Sequence, residues 1–268
     1  MTAVWLAALS VPATGALGLD TFAMTSPERE MHYARSGVLR VPAPIAGRGY
    51  RIVFHDGFNR FRRRIWTRSI WYEPPAAAGD IFTRSGVLRL VSRRGRGYPN
   101  VSVTTLGSRS FRRGYFEARM RWTRGNGAWP AFWLFSTKHA RGIDCPPVPS
   151  ELDVFEGQGS EPRVYYGTIH RNTNGLCGQE DSQNANNWHP VKPNLTRAFH
   201  VYSALWTASR ITWYLDGKRL FSAPVYDSTD QPMFIILDMW TGGWTHEPDS
   251  TTPRTLRLEV DWVRVWRS

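Results

Sequence analysis

The sequence predicts an all-β fold: a β-sandwich of jelly-roll type, built from two antiparallel sheets. Three observations predict it. From Tyr50 onward, short runs rich in β-branched and aromatic residues recur between Gly, Pro, Asn and Asp. Several of these runs alternate with period two, the pattern of a strand with one buried face. No stretch carries a sustained helical period with caps. With 268 residues and 41% hydrophobic content, the chain can bury a sizeable core, and sandwiches of this length commonly stay undivided.

In chain order, residues 1–48 hold Pro, Ala, Gly and scattered charge and read as a leader and linker, with 49–268 as the single domain. The opening MTAVWLAALSVPATGALGLD has an apolar stretch and small residues near Ala13 to Ala16 but no basic start. It is read either as a secretion signal with a misplaced start, which makes the protein secreted or extracytoplasmic, or as a disordered leader. The run is too short and interrupted to span a bilayer. The strand-like runs follow: RIVFHDGF, GVLRLVSR, GYFEARMRW, AFWLFS, ELDVFE, VYYGTIH, FHVYSALW, RITWYLDGKRLF, MFIILDMW and RLEVDWVRVW. In GYFEARMRW, Tyr115, Glu117, Arg119 and Arg121 share one face, and Phe116, Ala118, Met120 and Trp122 the other. Asp216-Gly217 between two such runs predicts a hairpin. In the last run Leu256, Leu258, Val260 and Trp262 alternate with polar partners.

The chain has 13 Trp, more than core packing usually asks for. These rings serve either an aromatic-rich core or a binding surface for flat, partly apolar ligands such as sugars. The formal charge is +12, with Arg clusters at 60–64, 93–96 and 109–113. Such clusters either attract polyanions or simply solvate loops; no nucleic-acid motif accompanies them. Cys145 and Cys177 flank the ELDVFE segment and are read as a disulfide in an exported protein or as two free thiols.

ELDVFE carries the chemistry. On a regular strand Glu151 and Asp153 project together, whereas Glu156 has the opposite parity. One β-bulge near Val154-Phe155 restores it. Acids crowded on one face raise at least one pKa. A retaining glycosidase needs such a pair, one ionised nucleophile and one protonated acid roughly 5–5.5 Å apart. In that reading Glu151 attacks, Glu156 serves as acid and then base, and Asp153 hydrogen-bonds Glu151 and helps Glu156 keep its proton. Read alone, the pattern also fits a strand that carries its charges to solvent.

The neighbouring motifs favour the first reading. ELDVFE, preceded by GYFEARMRW and GAWPAFWLFS and followed by YGTIH, FHVYSALWTASRITWYLDGK and VDWVRVW, resembles glycoside hydrolase family 16, the laminarinase and agarase group, from about Phe54 to Trp266. The resemblance implies a concave substrate cleft with Glu151, Asp153 and Glu156 as nucleophile, assisting acid and acid/base. It also implies endo-acting, retaining cleavage of β-1,3- or mixed β-1,3/1,4-glucan. Trp129 and Trp133 fall on the family's W-P-A-x-W motif and are expected to floor the cleft. His170 is expected beside the substrate or Asp153, or as a structural histidine. Trp240 and Trp244, flanking Gly242-Gly243, are expected on a substrate-facing loop. No cofactor is required; many relatives hold a structural calcium ion, for which Asp261 is the matching ligand. The expected partner is a polysaccharide, with no nucleic acid and no membrane span, and the protein is expected to be a monomer. Two positions depart from the family pattern: Ser150 replaces the common Gly, and Asp238 stands where many relatives have Asn. Other readings are a sulfated galactan substrate, favoured if an Arg lies near Trp133, a transglycosylase, and a non-catalytic glucan-binding protein.

Overall fold

The computed structural model describes residues 39–142, 149–171, 188–225 and 231–268. The leader through residue 38, Cys145 and Cys177 lie outside the described residues. Among these residues the strands are β1 (Arg51–Asp56), β2 (Ile81–Arg84), β3 (Val87–Arg93), β4 (Val101–Thr104), β5 (Gly114–Trp122), β6 (Ala128–Ser136), β7 (Pro149–Glu156), β8 (Val164–Tyr166), β9 (Ile169–Arg171), β10 (Trp188–Pro190), β11 (His200–Trp206), β12 (Arg210–Leu215), β13 (Lys218–Pro224), β14 (Met233–Thr241) and β15 (Thr255–Arg267). Among the described residues helical structure is confined to single short turns, and no helix is long and apolar enough to cross a membrane. Residues Val41–Ser268 form one compact unit, in which Ile45 is fully buried.

The strands make two antiparallel sheets. The larger runs β13-β12-β11-β5-β15-β3-β2, with β1 also on β15; the smaller runs β10-β8-β7-β6-β14-β4, with β9 also on β7. Their inner faces meet in one core, to which β5 contributes Phe116, Ala118, Met120 and Trp122, β6 contributes Phe132 and Leu134, and β14 contributes Ile235, Leu237 and Met239. Period-two alternation is thus the physical origin of the sandwich. Most of the opposite face of β5 is buried as well, with Arg121 partly exposed: Glu117 accepts from Trp266 Nε1 at 2.8 Å, and Arg119 pairs with Asp261 at 2.7 Å.

The hairpin falls where the sequence places it. Leu215 pairs Lys218 across Asp216 and Gly217, both at positive φ (49° and 73°). This two-residue turn favours Asp-Gly because Gly bears no Cβ to clash there. Two readings need correction. VYYGTIH is split into β8 and β9, because the chain leaves strand geometry at Gly167-Thr168. Trp262 does not share the face of Val260. A register shift between Val260 and Trp262 leaves Asp261 as an extra residue, so Val263 turns into the core and Trp262 turns out, under the Arg264 guanidinium at 3.8 Å.

The bulge on β7 is present. Asp153 pairs Trp133 and Phe155 pairs Phe132, which leaves Val154 as the extra residue. Val154 and Phe155 both enter the core, and Glu156 emerges on the face of Glu151 and Asp153. The bulge is anchored by hydrogen bonds. Trp213 Nε1, from the opposite sheet, donates to the Asp153 carbonyl at 2.8 Å, and the Tyr165 hydroxyl donates to the Val154 carbonyl. Deleting Val154 keeps the pairings on both sides and the parity of all three acids. The expected variant therefore folds, with roughly 2–3 kcal/mol less stability for the lost buried valine and its bond. Urea unfolding measures this, and a chain that failed to fold would show that the bulge itself sets the register.

Candidate active site

The outer face of the smaller sheet gathers the site by cross-strand pairing. On β6, Trp129, Ala131, Trp133 and Phe135 face outward; β14 adds Phe234, Ile236, Asp238 and Trp240 opposite them. The β6–β7 register then sets Ala131 against Glu156, Trp133 against Asp153 and Phe135 against Glu151. On the far side, His170 of β9 pairs Glu151 and Tyr166 of β8 pairs Glu156. Residues opposed across strands share a face at close range, so the topology alone brings the acids, the histidine and the Trp row together.

A cleft of about 160 Å³ is lined by Tyr72, Trp129, Ala131, Trp133, Glu151, Asp153, Glu156, Asp238 and Trp240. His170 Nε2 stands between the two carboxylates, 3.0 Å from Asp153 Oδ2 and 3.6 Å from Glu151 Oε1. Glu156 is half-buried, and its Oε1 accepts from Trp129 Nε1 at 2.8 Å. Desolvation, helped by the Asp153 charge, pushes its pKa up to about 8 against the hydrogen bond from Trp129. Glu156 therefore holds a proton at neutral pH, the state a general acid requires.

The tryptophans divide by environment. Trp133 is buried, its Nε1 donates to Asp238 Oδ2 at 2.6 Å, and it packs edge-on to Phe135. Trp240 donates to Ser102 Oγ at 2.8 Å and meets Trp129 edge-on. Trp244, 43% exposed, lies edge-on to both Trp129 and Tyr166. The Gly242-Gly243 turn makes this possible: a Cβ on Gly243 would stand 3.1 Å from the Trp129 ring, and its φ of 62° also favours glycine. A Trp129→Phe substitution removes one of the hydrogen bonds that hold the Glu156 pKa down, so the alkaline limb of the pH–activity profile is expected to move to higher pH. A profile identical to the parent's would dissociate Trp129 from Glu156.

Two further residues, Asp238 and Tyr72, line the cleft. Asp238 departs from the family pattern at a position the sequence places near the cleft; it is buried, and desolvation pushes its pKa well above its ordinary value of 3.8. The signal that could have found it is its parity with Trp240, two residues on. Tyr72 enters from the loop after β1, edge-on to Trp240, where no strand period announces it.

Among the described residues, one group of three side chains has metal-ligating geometry: Glu151, Asp153 and His170, with ligand atoms within 4.8 Å of one another. Asp261 lies on the other sheet and belongs to no such group. Its carboxylate pairs with Arg119 Nη1 at 2.7 Å.

Comparison with known proteins agrees with this geometry. The family model of "Glycosyl hydrolases family 16" matches residues 77–264, a span that contains the three acids. The chain is 30% identical over 200 residues to a beta-glucanase of Rhodothermus marinus, covering 68% of each protein. It is 28% identical over 211 residues to the endo-1,3-1,4-beta-glycanase EglC of Rhizobium meliloti (strain 1021), covering 75% of this chain and 42% of that relative, less than half its length. The solved laminarinase from Rhodothermus marinus superposes with a TM-score of 0.68 at 28% identity, covering 85% of this chain and 99% of that one. The endo-beta-1,3-glucanase from Pyrococcus furiosus gives a TM-score of 0.69 at 26% identity, covering 81% of this chain and 94% of that one. On these matches, and on the placement of its acids, the chain belongs to glycosyl hydrolase family 16.

Proposed function

We propose that the protein is an endo-acting, retaining hydrolase of β-1,3- or mixed β-1,3/1,4-glucan. The observation that carries the reading is the bulge that turns Glu156, with its raised pKa, to the same cleft as Glu151 and Asp153. Glu151 attacks the anomeric carbon while Glu156 gives its proton to the departing glycosidic oxygen, leaving a glycosyl ester on Glu151. Glu156, now ionised, takes a proton from the incoming water, whose oxygen displaces Glu151 and restores the starting configuration. Asp153 and His170 orient Glu151. Trp129, Trp240 and Trp244 offer aromatic rings on which the apolar C–H faces of sugars can stack.

The choice of glucan rests on the relatives. A galactan substrate bearing sulfate calls for a cation beside Trp133, and among the described cleft-lining residues none is Arg or Lys. The test is reducing-end release from laminarin, lichenan, agarose and κ-carrageenan, with the anomeric configuration of the first product followed by NMR. Early accumulation of short oligosaccharides of β configuration from laminarin or lichenan supports the reading. Release from the galactans alone overturns the substrate, and an α product overturns the mechanism. Longer products formed from a laminarin oligosaccharide would indicate that a sugar hydroxyl, rather than water, resolves the intermediate.

A further inference from the structure

We propose that the outer face of the larger sheet carries a second binding site, a groove for acidic polysaccharide whose carboxylate or sulfate groups pair with arginine. The groove, of about 710 Å³, is lined by Arg84, Arg89, Arg121, Arg124 and Arg257 against the single acid Glu259, with Phe82, Trp122, Thr123 and Thr196 completing it. It lies on the other sheet from Glu151, Asp153 and Glu156, so both can be occupied at once.

The strand register builds it. Phe82 pairs Arg89, Arg89 pairs Glu259, and Glu259 pairs Arg121, so one row crosses four adjacent strands, β2, β3, β15 and β5. At the spacing of strands the row spans about 14 Å, the reach of an oligomer rather than of a lone ion. Glu259 fixes two of the guanidinium groups: Oε1 accepts from Arg89 Nε at 2.9 Å and Oε2 from Arg121 Nε at 2.9 Å. Arg121 also lies over the Phe199 ring at 4.9 Å, with Arg119 over the same ring at 4.8 Å. These arginines are held in place before any ligand arrives, and a guanidinium has five donors to share. Arg84, Arg124 and Arg257 are exposed and form no ion pair among the described residues.

Solvating charges are ordinarily spread and paired; here five of one sign converge on a concavity with one counter-charge, which focuses an attractive field for polyanions. Guanidinium matches carboxylate and sulfate through two parallel hydrogen bonds. The aromatic residues argue against single-stranded nucleic acid, which binds by stacking bases on open rings. Trp122 is buried, Phe82 is partly buried, and the Phe199 ring carries two guanidinium groups.

The test is affinity electrophoresis of the whole protein in gels containing polygalacturonate, dextran sulfate, neutral dextran or duplex DNA, at about 0.15 M salt, where surface attraction is largely screened. The parent is compared with a triple Arg84→Ala, Arg124→Ala, Arg257→Ala variant and with the corresponding triple Lys variant. We expect retardation of the parent by polygalacturonate or dextran sulfate, whichever anion the groove prefers, and none by neutral dextran. The Ala variant should bind at least tenfold more weakly, with its thermal midpoint and its rate on a neutral glucan unchanged, and the Lys variant should recover only part of the affinity. Absence of retardation, equal binding by the Ala variant, full recovery by lysine, or equally tight binding of DNA each overturns the proposal. None of these results bears on the cleft, whose own test is hydrolysis of neutral glucan.

Discussion

A Glu151→Gln variant is expected to lose hydrolysis of laminarin and lichenan by at least about 10³-fold in kcat while folding like the parent. Glutamine keeps the outline of the side chain and its place opposite His170 and Phe135, so the change removes the attacking oxygen anion and little else. The sharper readout is chemical. In Glu151→Gly, added azide can enter the space left by the carboxylate and attack the anomeric carbon directly. That single displacement inverts the sugar, so an α-glycosyl azide should accumulate from an activated aryl β-glucoside oligomer. A β-azide would mean that Glu151 is not the residue on that face, and unchanged turnover in Glu151→Gln would remove it from the mechanism.

The second large effect concerns Glu156. Glu156→Gln is expected to lower kcat on polysaccharide by about 10²–10⁴-fold, the usual contribution of a positioned acid. Formation of the glycosyl ester from an aryl glycoside whose leaving group needs no proton should be spared. The parent's activity should fall as pH rises through about 8, where Glu156 loses its proton. In the variant that limb should vanish. The same group affects stability with a definite sign. Between its ordinary value of 4.5 and about 8 the folded chain holds a proton that the unfolded chain has released, so the parent loses stability across that window as pH rises. The variant carries no such dependence, and its thermal midpoint relative to the parent's should climb from pH 4.5 to 8. A constant difference between the two melting curves would show that burial does not set this pKa.

Much of this site is legible in the sequence because strand periodicity encodes which way side chains point. The parity conflict in ELDVFE demands a bulge if all three acids are to share a face, and Val154 is where the ladder breaks. Trp129 and Trp133 follow from the same rule, as both lie four residues apart on one strand and line one cleft. What the rule cannot supply is a second irregularity with no conflict to announce it. In β15 nothing in the sequence requires an extra residue at Asp261, and the facing expected of Trp262 is reversed. Tyr72 belongs to a loop whose path is set by packing of its neighbour Trp71 on Phe135, a tertiary contact that local pattern does not carry. Short strands such as β4 and β10, of four and three residues, are too brief for alternation to show. The arginines of the far groove are dispersed from residue 84 to 257 and converge only through the order of strands in the sheet.

The two hydrogen bonds that anchor the β7 bulge have a dynamic consequence. Trp213 reaches the Asp153 carbonyl from across the sandwich, and Tyr165 reaches the Val154 carbonyl from the next strand; both side chains are fully buried. The segment carrying the acids therefore has no low-energy route to fray by itself, since freeing it means parting the two sheets. Its amide protons should exchange with solvent only through whole-domain opening. Heat should accordingly abolish catalysis and native structure at one temperature, with no interval in which a folded protein has already lost its active site.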